Sequence, residues 1–288
     1  METWRLIPFE THDAYMNMAI DEAILTARIA EQVPNTLRLY RWQPSAVSIG
    51  KNQKPQNELY IENCRRRGID IVRRISGGGT VFHSATGEVT YSVTAKVASV
   101  GKDIATIYKR VYAAIADALR LLGIPADYNS GDEKNCPNLM VNGKKISGSA
   151  QVIRKGVVLQ HGTLLLDANL EEMFTLLRVP WTDDYMQAAC VARRKITSIH
   201  EILRHLIAPE TVCNALTAGF KNIFHINFVS SGLTPYEQEL AVQLCKEKYA
   251  VDKWNFEGKV VNLLPLRFST AHLGRYPRLL CPFLLAVA

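Results

Sequence analysis

The sequence predicts an α+β fold, a mixed and largely antiparallel sheet packed with helices. Three observations carry that prediction. Segments of period-two alternation recur between residues 36 and 94. Turn-punctuated short strands follow over 138–167. Helical spacing governs 14–31, 104–122 and most of the chain after about 168.

In chain order, Ala19, Ile20, Ala23, Ile24 and Ala27 share one helical face within 14–31. Thr36–Arg41 alternates like a half-buried strand, and Ser45–Gly50 follows a turn at Pro44 as a second. Ile69–Arg74 is a third, running into three glycines. Val89, Tyr91 and Val93 alternate with Thr90, Ser92 and Thr94 in a fourth. Ile107, Val111, Ile115, Leu119 and Leu122 then mark a helix over 104–122. Asn142-Gly143 predicts a type I′ hairpin, because both residues tolerate positive φ, and Arg154-Lys155-Gly156 predicts the next turn. Beyond 168 the pattern is helical throughout, with capping boxes expected at Ser198/Glu201 and, with a proline at the first helical position, at Thr234/Glu237.

The 288 residues are 48% hydrophobic, ample for one large domain, and the formal net charge is +7. A basic balance favours an acidic partner: nucleotide, nucleic acid or acidic protein surface. No apolar run is long enough to span a bilayer and the N-terminus lacks signal-peptide order, so the expectation is a cytoplasmic protein with no membrane partner. Six scattered cysteines form no CxxC pair, which favours reduced thiols, and the seven histidines show no ligand spacing, so no metal site is expected. Residues 1–258 are expected to form the catalytic domain. Residues 259–288 form an apolar, basic tail, not an independent domain; positions 260–288 contain neither Asp nor Glu.

Three strings carry chemistry. In Arg73–His83, the glycines Gly77, Gly78 and Gly79 let the backbone approach a ligand, their amides suit a phosphate or carboxylate, and Arg74 adds donors for phosphate oxygens. A bare triple glycine by itself reads first as a tight turn with a surface arginine pair; the whole eleven-residue string shifts that balance. In Asn142–Gln151, a lysine beside Ser147-Gly148-Ser149 suits a cavity that small residues leave open, where it neutralises phosphate or polarises an acyl carbonyl. The bland alternative is two solvated hairpin lysines. By alternation Lys144 and Lys145 face opposite ways, so only one is available to the site. In Gln160–Asp167, His161 precedes a glycine and an apolar strand; by itself it reads first as a satisfied core histidine, as does His83.

Together the strings resemble the lipoate–protein ligases, within the biotin/lipoate ligase and octanoyltransferase group. Arg73–His83 resembles the family's Arg-Arg-x-x-Gly-Gly-Gly-x-Val-Phe-His, Lys145–Ala150 its Lys-x-Ser-Gly-Ser-Ala, and His161–Leu165 its His-Gly-Thr-Leu-Leu. Asn17–Glu22 and Tyr40–Gly50 add support upstream. The resemblance spans about residues 4–257 and implies a biotin/lipoate ligase-like catalytic domain. It implies Lys145 as the catalytic lysine. Arg74, Gly77, Gly78, Gly79, Thr80, Val81, Phe82, His83, Asn138, Ser147, Gly148 and His161 would bind nucleotide and acyl chain. The implied reaction joins lipoate and ATP, with Mg2+ inferred from nucleotide chemistry, into lipoyl-adenylate. The lipoyl group then passes to a lysine of lipoyl-carrier domains of 2-oxoacid dehydrogenases or of the glycine cleavage H protein.

Two departures from that pattern point elsewhere. Glu88–Ser92 takes an octanoyltransferase form rather than the Asn-containing ligase form. Only the atypical tail stands where two-domain ligases continue, so a split enzyme with a separate small accessory subunit is one expectation. An ATP-independent octanoyl or lipoyl transferase is the alternative. Cys136 bears on it: one octanoyltransferase class carries a cysteine nucleophile upstream of this hairpin, though several residues further upstream, and Asn138-Leu139 follows the ligase string instead. Biotin ligase is disfavoured by its Arg-interleaved glycine string. A non-catalytic nucleotide- or nucleic-acid-binding module has only Arg65-Arg66-Arg67 in its favour, without a nucleic-acid fold motif, so no nucleic-acid partner is expected.

Overall fold

The computed structural model describes residues 1–132 and 136–259. The chain opens with strand β1 (Glu2–His12), helix α1 (Ala14–Ile29), and strands β2 (Thr36–Trp42) and β3 (Ala46–Ile49). Short helices α2 (Pro55–Glu58) and α3 (Ile61–Arg66) lead to β4 (Asp70–Arg73), β5 (Val81–His83) and β6 (Glu88–Lys96). Then come α4 (Val97–Val100), the long α5 (Ile104–Leu121), β7 (Asp127–Asn129), β8 (Asn138–Val141), β9 (Lys144–Arg154) and β10 (Val157–Leu165). The remainder is α6 (Leu170–Leu176), α7 (Tyr185–Ala192), α8 (Ile199–Leu203), α9 (Pro209–Phe224), β11 (Ile226–Ser230), α10 (Pro235–Leu244), a π-helical turn (Cys245–Tyr249) and α11 (Asp252–Asn255).

Eight strands form one sheet in the order β11-β1-β2-β6-β10-β9-β8-β7, and a second sheet has the order β4-β3-β5. Antiparallel pairs dominate, but β1 runs parallel to both β11 and β2, and β3 parallel to β4. The mixed α+β architecture is therefore as expected. One core, between the large sheet and α5 and α9, contains Trp4, Tyr91, Tyr112, Leu216 and Phe220. Gly219 permits the close helix crossing, since a Cβ there would lie 2.2 Å from the Ala114 carbonyl oxygen. A second core buries α1 and α10 against Tyr40, Trp42 and Leu159.

Both predicted hairpins form through positive φ at Asn142/Gly143 and Lys155/Gly156. Thr234 makes a full capping box with Glu237. At Ser198 only half the box is made: Ser198 Oγ accepts from Glu201 N, while the Glu201 carboxylate accepts from Thr197 and Lys144. The expectation of helix throughout the C-terminal part fails at β11, which pairs with β1. A five-residue edge strand carries too little alternation to stand out beside a sixteen-residue helix. The tail expected to be atypical falls almost wholly outside the described residues.

Candidate active site

A cavity of about 230 Å³ opens where the two sheets meet. Arg74, Gly78, Gly79, Thr80, Val81, Phe82 and His83 line one side; Lys145, Ser147, Gly148 and His161 line the other. Three strings far apart in sequence thus share one cavity. Gly77 and Asn138 are not among the lining residues, although Gly77 serves the loop through its carbonyl.

The glycine loop is held by close backbone approach and by Arg74. A Cβ on Gly50 would stand 2.1 Å from the Gly78 oxygen, so the loop packs there only because Gly50 has none. Gly78 itself has φ of 88°. The buried Arg74 sends Nη2 to the Gly77 and Gly79 carbonyls at 2.8 and 2.6 Å, and Nη1 to the Ser48 carbonyl and hydroxyl at 3.1 and 3.0 Å. Its four Nη hydrogens are therefore spent on the protein, and the side chain acts as a clamp on the loop. Burial pushes its pKa down to about 10.

Two acid–histidine–serine chains back the cavity. His83 Nδ1 lies 2.8 Å from Glu88 Oε1, and its Nε2 lies 2.8 Å from Ser48 Oγ. With Glu88 ionised, Nδ1 carries the hydrogen and Nε2 accepts from Ser48, whose oxygen in turn accepts from Arg74. The second chain places His161 Nδ1 3.0 Å from Asp21 Oδ2 and Nε2 2.6 Å from Ser76 Oγ. Trp42 stacks on His83 at 3.9 Å between ring centroids, and its indole N–H donates to Thr90.

Lys145 and Lys144 diverge as alternation requires. Lys144 Nζ pairs with Glu201 on the surface at 2.8 Å. Lys145 turns into the cavity over Gly148. Its chain is solvent-accessible through the open cavity, yet the walls around the ammonium desolvate it and push its pKa below the usual lysine range, with the charge interaction with Cys136 opposing that shift. Segment 195–197 brackets Lys145: Lys145 N donates to the Lys195 carbonyl at 2.7 Å, and Thr197 N donates to the Lys145 carbonyl at 3.0 Å. Cys136, exposed and free, lines the same cavity.

A model of the lipoyl protein ligase A/B catalytic domain matches residues 13–221. The chain belongs to that family. Octanoyltransferase LipM of Brevibacillus brevis is 35% identical over 275 residues, covering 88% of this chain and 99% of the relative. The Clostridioides difficile LipM is 33% identical over 88% of this chain. Among solved structures, the bipartite lipoate protein ligase of Thermoplasma acidophilum superposes with a TM-score of 0.79 at 29% identity, covering 92% of this chain and all of that one. A lipoate-protein ligase A bound with ATP gives 0.79 at 29% identity, covering 90% of this chain.

Membership makes the chain an enzyme of the lipoyl/octanoyl transfer family. Several wall residues of this family member escape sequence reading. Met18, Tyr40, Trp42 and Ser48 fall within the two upstream strings that carry only supporting matches. Met173, Leu177 and Ile196 carry no signal, because an apolar residue on a helix or loop reads as core until the fold shows what it faces. No group of His, Cys, Asp and Glu among the described residues is arranged to hold a metal ion, and no described helix is long and apolar enough to cross a membrane.

Proposed function

We propose that the chain is a thioester-dependent octanoyl (or lipoyl) transferase in which Cys136 carries the acyl group and Lys145 manages its proton. The observation that carries this reading is that Cys136 lines the same cavity as Lys145, whose depressed pKa suits it to take a thiol proton. Cys136 attacks the carbonyl of an octanoyl thioester on a carrier protein, and the carrier thiolate leaves with the proton held by Lys145. The acceptor lysine amine then attacks the Cys136 thioester, an amide forms, and the Cys136 thiol is regenerated. The thioester supplies the leaving group, so no ATP is consumed. The LipM relatives support this choice, as does the commitment of the Arg74 Nη donors to the loop rather than to an incoming phosphate.

The second reading is lipoate ligation through lipoyl-adenylate with ATP and Mg2+, assisted by a separate accessory subunit. The ATP-bound and bipartite ligase neighbours favour it, and the amides of Gly77–Gly79 are the phosphate cradle it would use. On either reading the acceptor is a lipoyl-carrier domain, of the kind represented by the E2 lipoyl domain of the Thermoplasma acidophilum lipoylation system.

The deciding experiment mixes the full chain with octanoyl-carrier protein and an apo lipoyl domain, with no nucleotide. The expected result is octanoylated acceptor, an enzyme mass raised by one octanoyl group, and loss of both in Cys136→Ser. Transfer that needs free lipoate, ATP and Mg2+, and survives Cys136→Ser, would establish the second reading.

A further inference from the structure

Three consecutive cations, Arg193, Arg194 and Lys195, follow α7 in an exposed turn. The turn is rigidly tied: Arg194 N donates to the Val191 carbonyl at 3.2 Å and Lys195 N to the Ala192 carbonyl at 2.8 Å. It is also bonded to the backbone on both sides of Lys145, and Ile196 reaches into the cavity wall. Arg193 is neutralised by Glu171, and nearby Lys144 by Glu201. Arg194 and Lys195 have no ion-pair or side-chain hydrogen-bond partner among the described residues. In the other basic run Arg65 and Arg66 bond residues three positions back in the chain, Glu62 and Asn63, while Arg67 has no ion pair or side-chain hydrogen bond among the described residues.

We propose that Arg194 and Lys195 are the docking surface for the acyl acceptor, a protein domain whose target lysine is flanked by acidic side chains. The inference rests on the acyl-transfer reading above. A cationic rim repels a protonated acceptor lysine, so that lysine's own charge cannot bring it in; carboxylates beside it supply the attraction. The same rim favours the neutral amine, the form that attacks a thioester. Two uncompensated charges on a turn bonded to the Lys145 backbone and adjoining the cavity-lining Ile196, in a chain of net charge +7, steer such a partner toward the reacting carbonyl.

The test uses the full chain and an apo lipoyl domain as probe. The dissociation constant is measured calorimetrically for the wild type, for Arg194→Gln/Lys195→Gln and for Arg194→Glu/Lys195→Glu, at low and high salt. Acyl uptake from a small neutral donor, octanoyl-N-acetylcysteamine, is followed by intact mass, and melting curves verify folding. Charge reversal is expected to weaken binding at low salt by about tenfold or more, and neutralisation by a smaller factor. Wild-type binding should weaken as salt rises, while the reversed variant loses that dependence. Acyl uptake should match in all three proteins. Unchanged binding with unchanged salt dependence overturns the proposal, as does loss of acyl uptake with binding intact. If charge reversal prevents folding, the glutamine pair decides by the same criteria. Absence of acyl uptake in every protein, wild type included, would instead strike the transferase reading, and the binding comparison would still decide the docking surface.

Discussion

Lys145 folds its side chain directly over Gly148: a Cβ added at Gly148 would lie 2.8 Å from both Cε and Nζ of Lys145. The glycine is therefore the space in which the ammonium rests, and the obstructed atoms are the flexible end of a chain rather than backbone. Gly148→Ala is expected to fold normally and to displace the ammonium, lowering acyl transfer on the order of 10- to 100-fold. Lys145→Ala should cost about 10²–10⁴-fold, while Lys144→Ala, which only breaks the surface pair with Glu201, should remain near wild type. Steady-state transfer assays with matched melting curves check all three. Normal transfer by Lys145→Ala would remove the lysine from the mechanism.

Asp21 offers a pH test. Burial raises its pKa, but the hydrogen bond from His161 and the charge of Arg38 outweigh burial and hold the carboxyl below its ordinary value, with Ser92 adding a donor. A depressed folded pKa contributes stability that is fully present above the unfolded-state value of about 3.9, and that is lost as pH falls through the folded value. Asp21→Asn leaves the buried Arg38 without this partner and should cost about 3–5 kcal/mol at neutral pH. The gap between variant and wild type should shrink as pH drops below about 4, measured by urea unfolding. A gap independent of pH would assign the loss to packing instead.

Arg73 fastens the C-terminal segment to the base of the glycine loop. Its Nε and Nη2 donate to the Trp254 and Asn255 carbonyls at 2.9 Å each, and Trp254 Nε1 returns a bond to the Arg73 carbonyl at 2.8 Å. Its Nη1 reaches the Gly50, Lys51 and Gln53 carbonyls. A chain ended after Gly258 keeps every one of these bonds, and it is expected to retain full stability and transfer activity. Trp254→Ala should cost about 3–5 kcal/mol, roughly 10 °C in Tm for a domain of this size. A melting temperature unchanged by Trp254→Ala would refute the role assigned to this latch.

Much of the local structure was legible because it depends on neighbours in the chain. The Asn142-Gly143 turn follows from the positive φ both residues accept, and the Thr234/Glu237 box from atoms three residues apart. The faces of α1 and α5 follow from helical periodicity. Opposite exits for Lys144 and Lys145 follow from strand alternation. Taken by itself, the sequence determined the mixed α+β class, the three strings that meet at the cavity and the opposite facing of Lys144 and Lys145. Only tertiary structure decided that His161 pairs with Asp21 across 140 positions, that Arg74 spends its Nη donors on the glycine loop and Ser48, and that Ile196 pairs with Lys145 while Cys136 lines the same cavity. It also decided that β11 completes the sheet beside β1. These relations join residues far apart in the chain, and they arise from which buried donors and apolar faces meet when two sheets and their helices pack. No local propensity encodes that meeting.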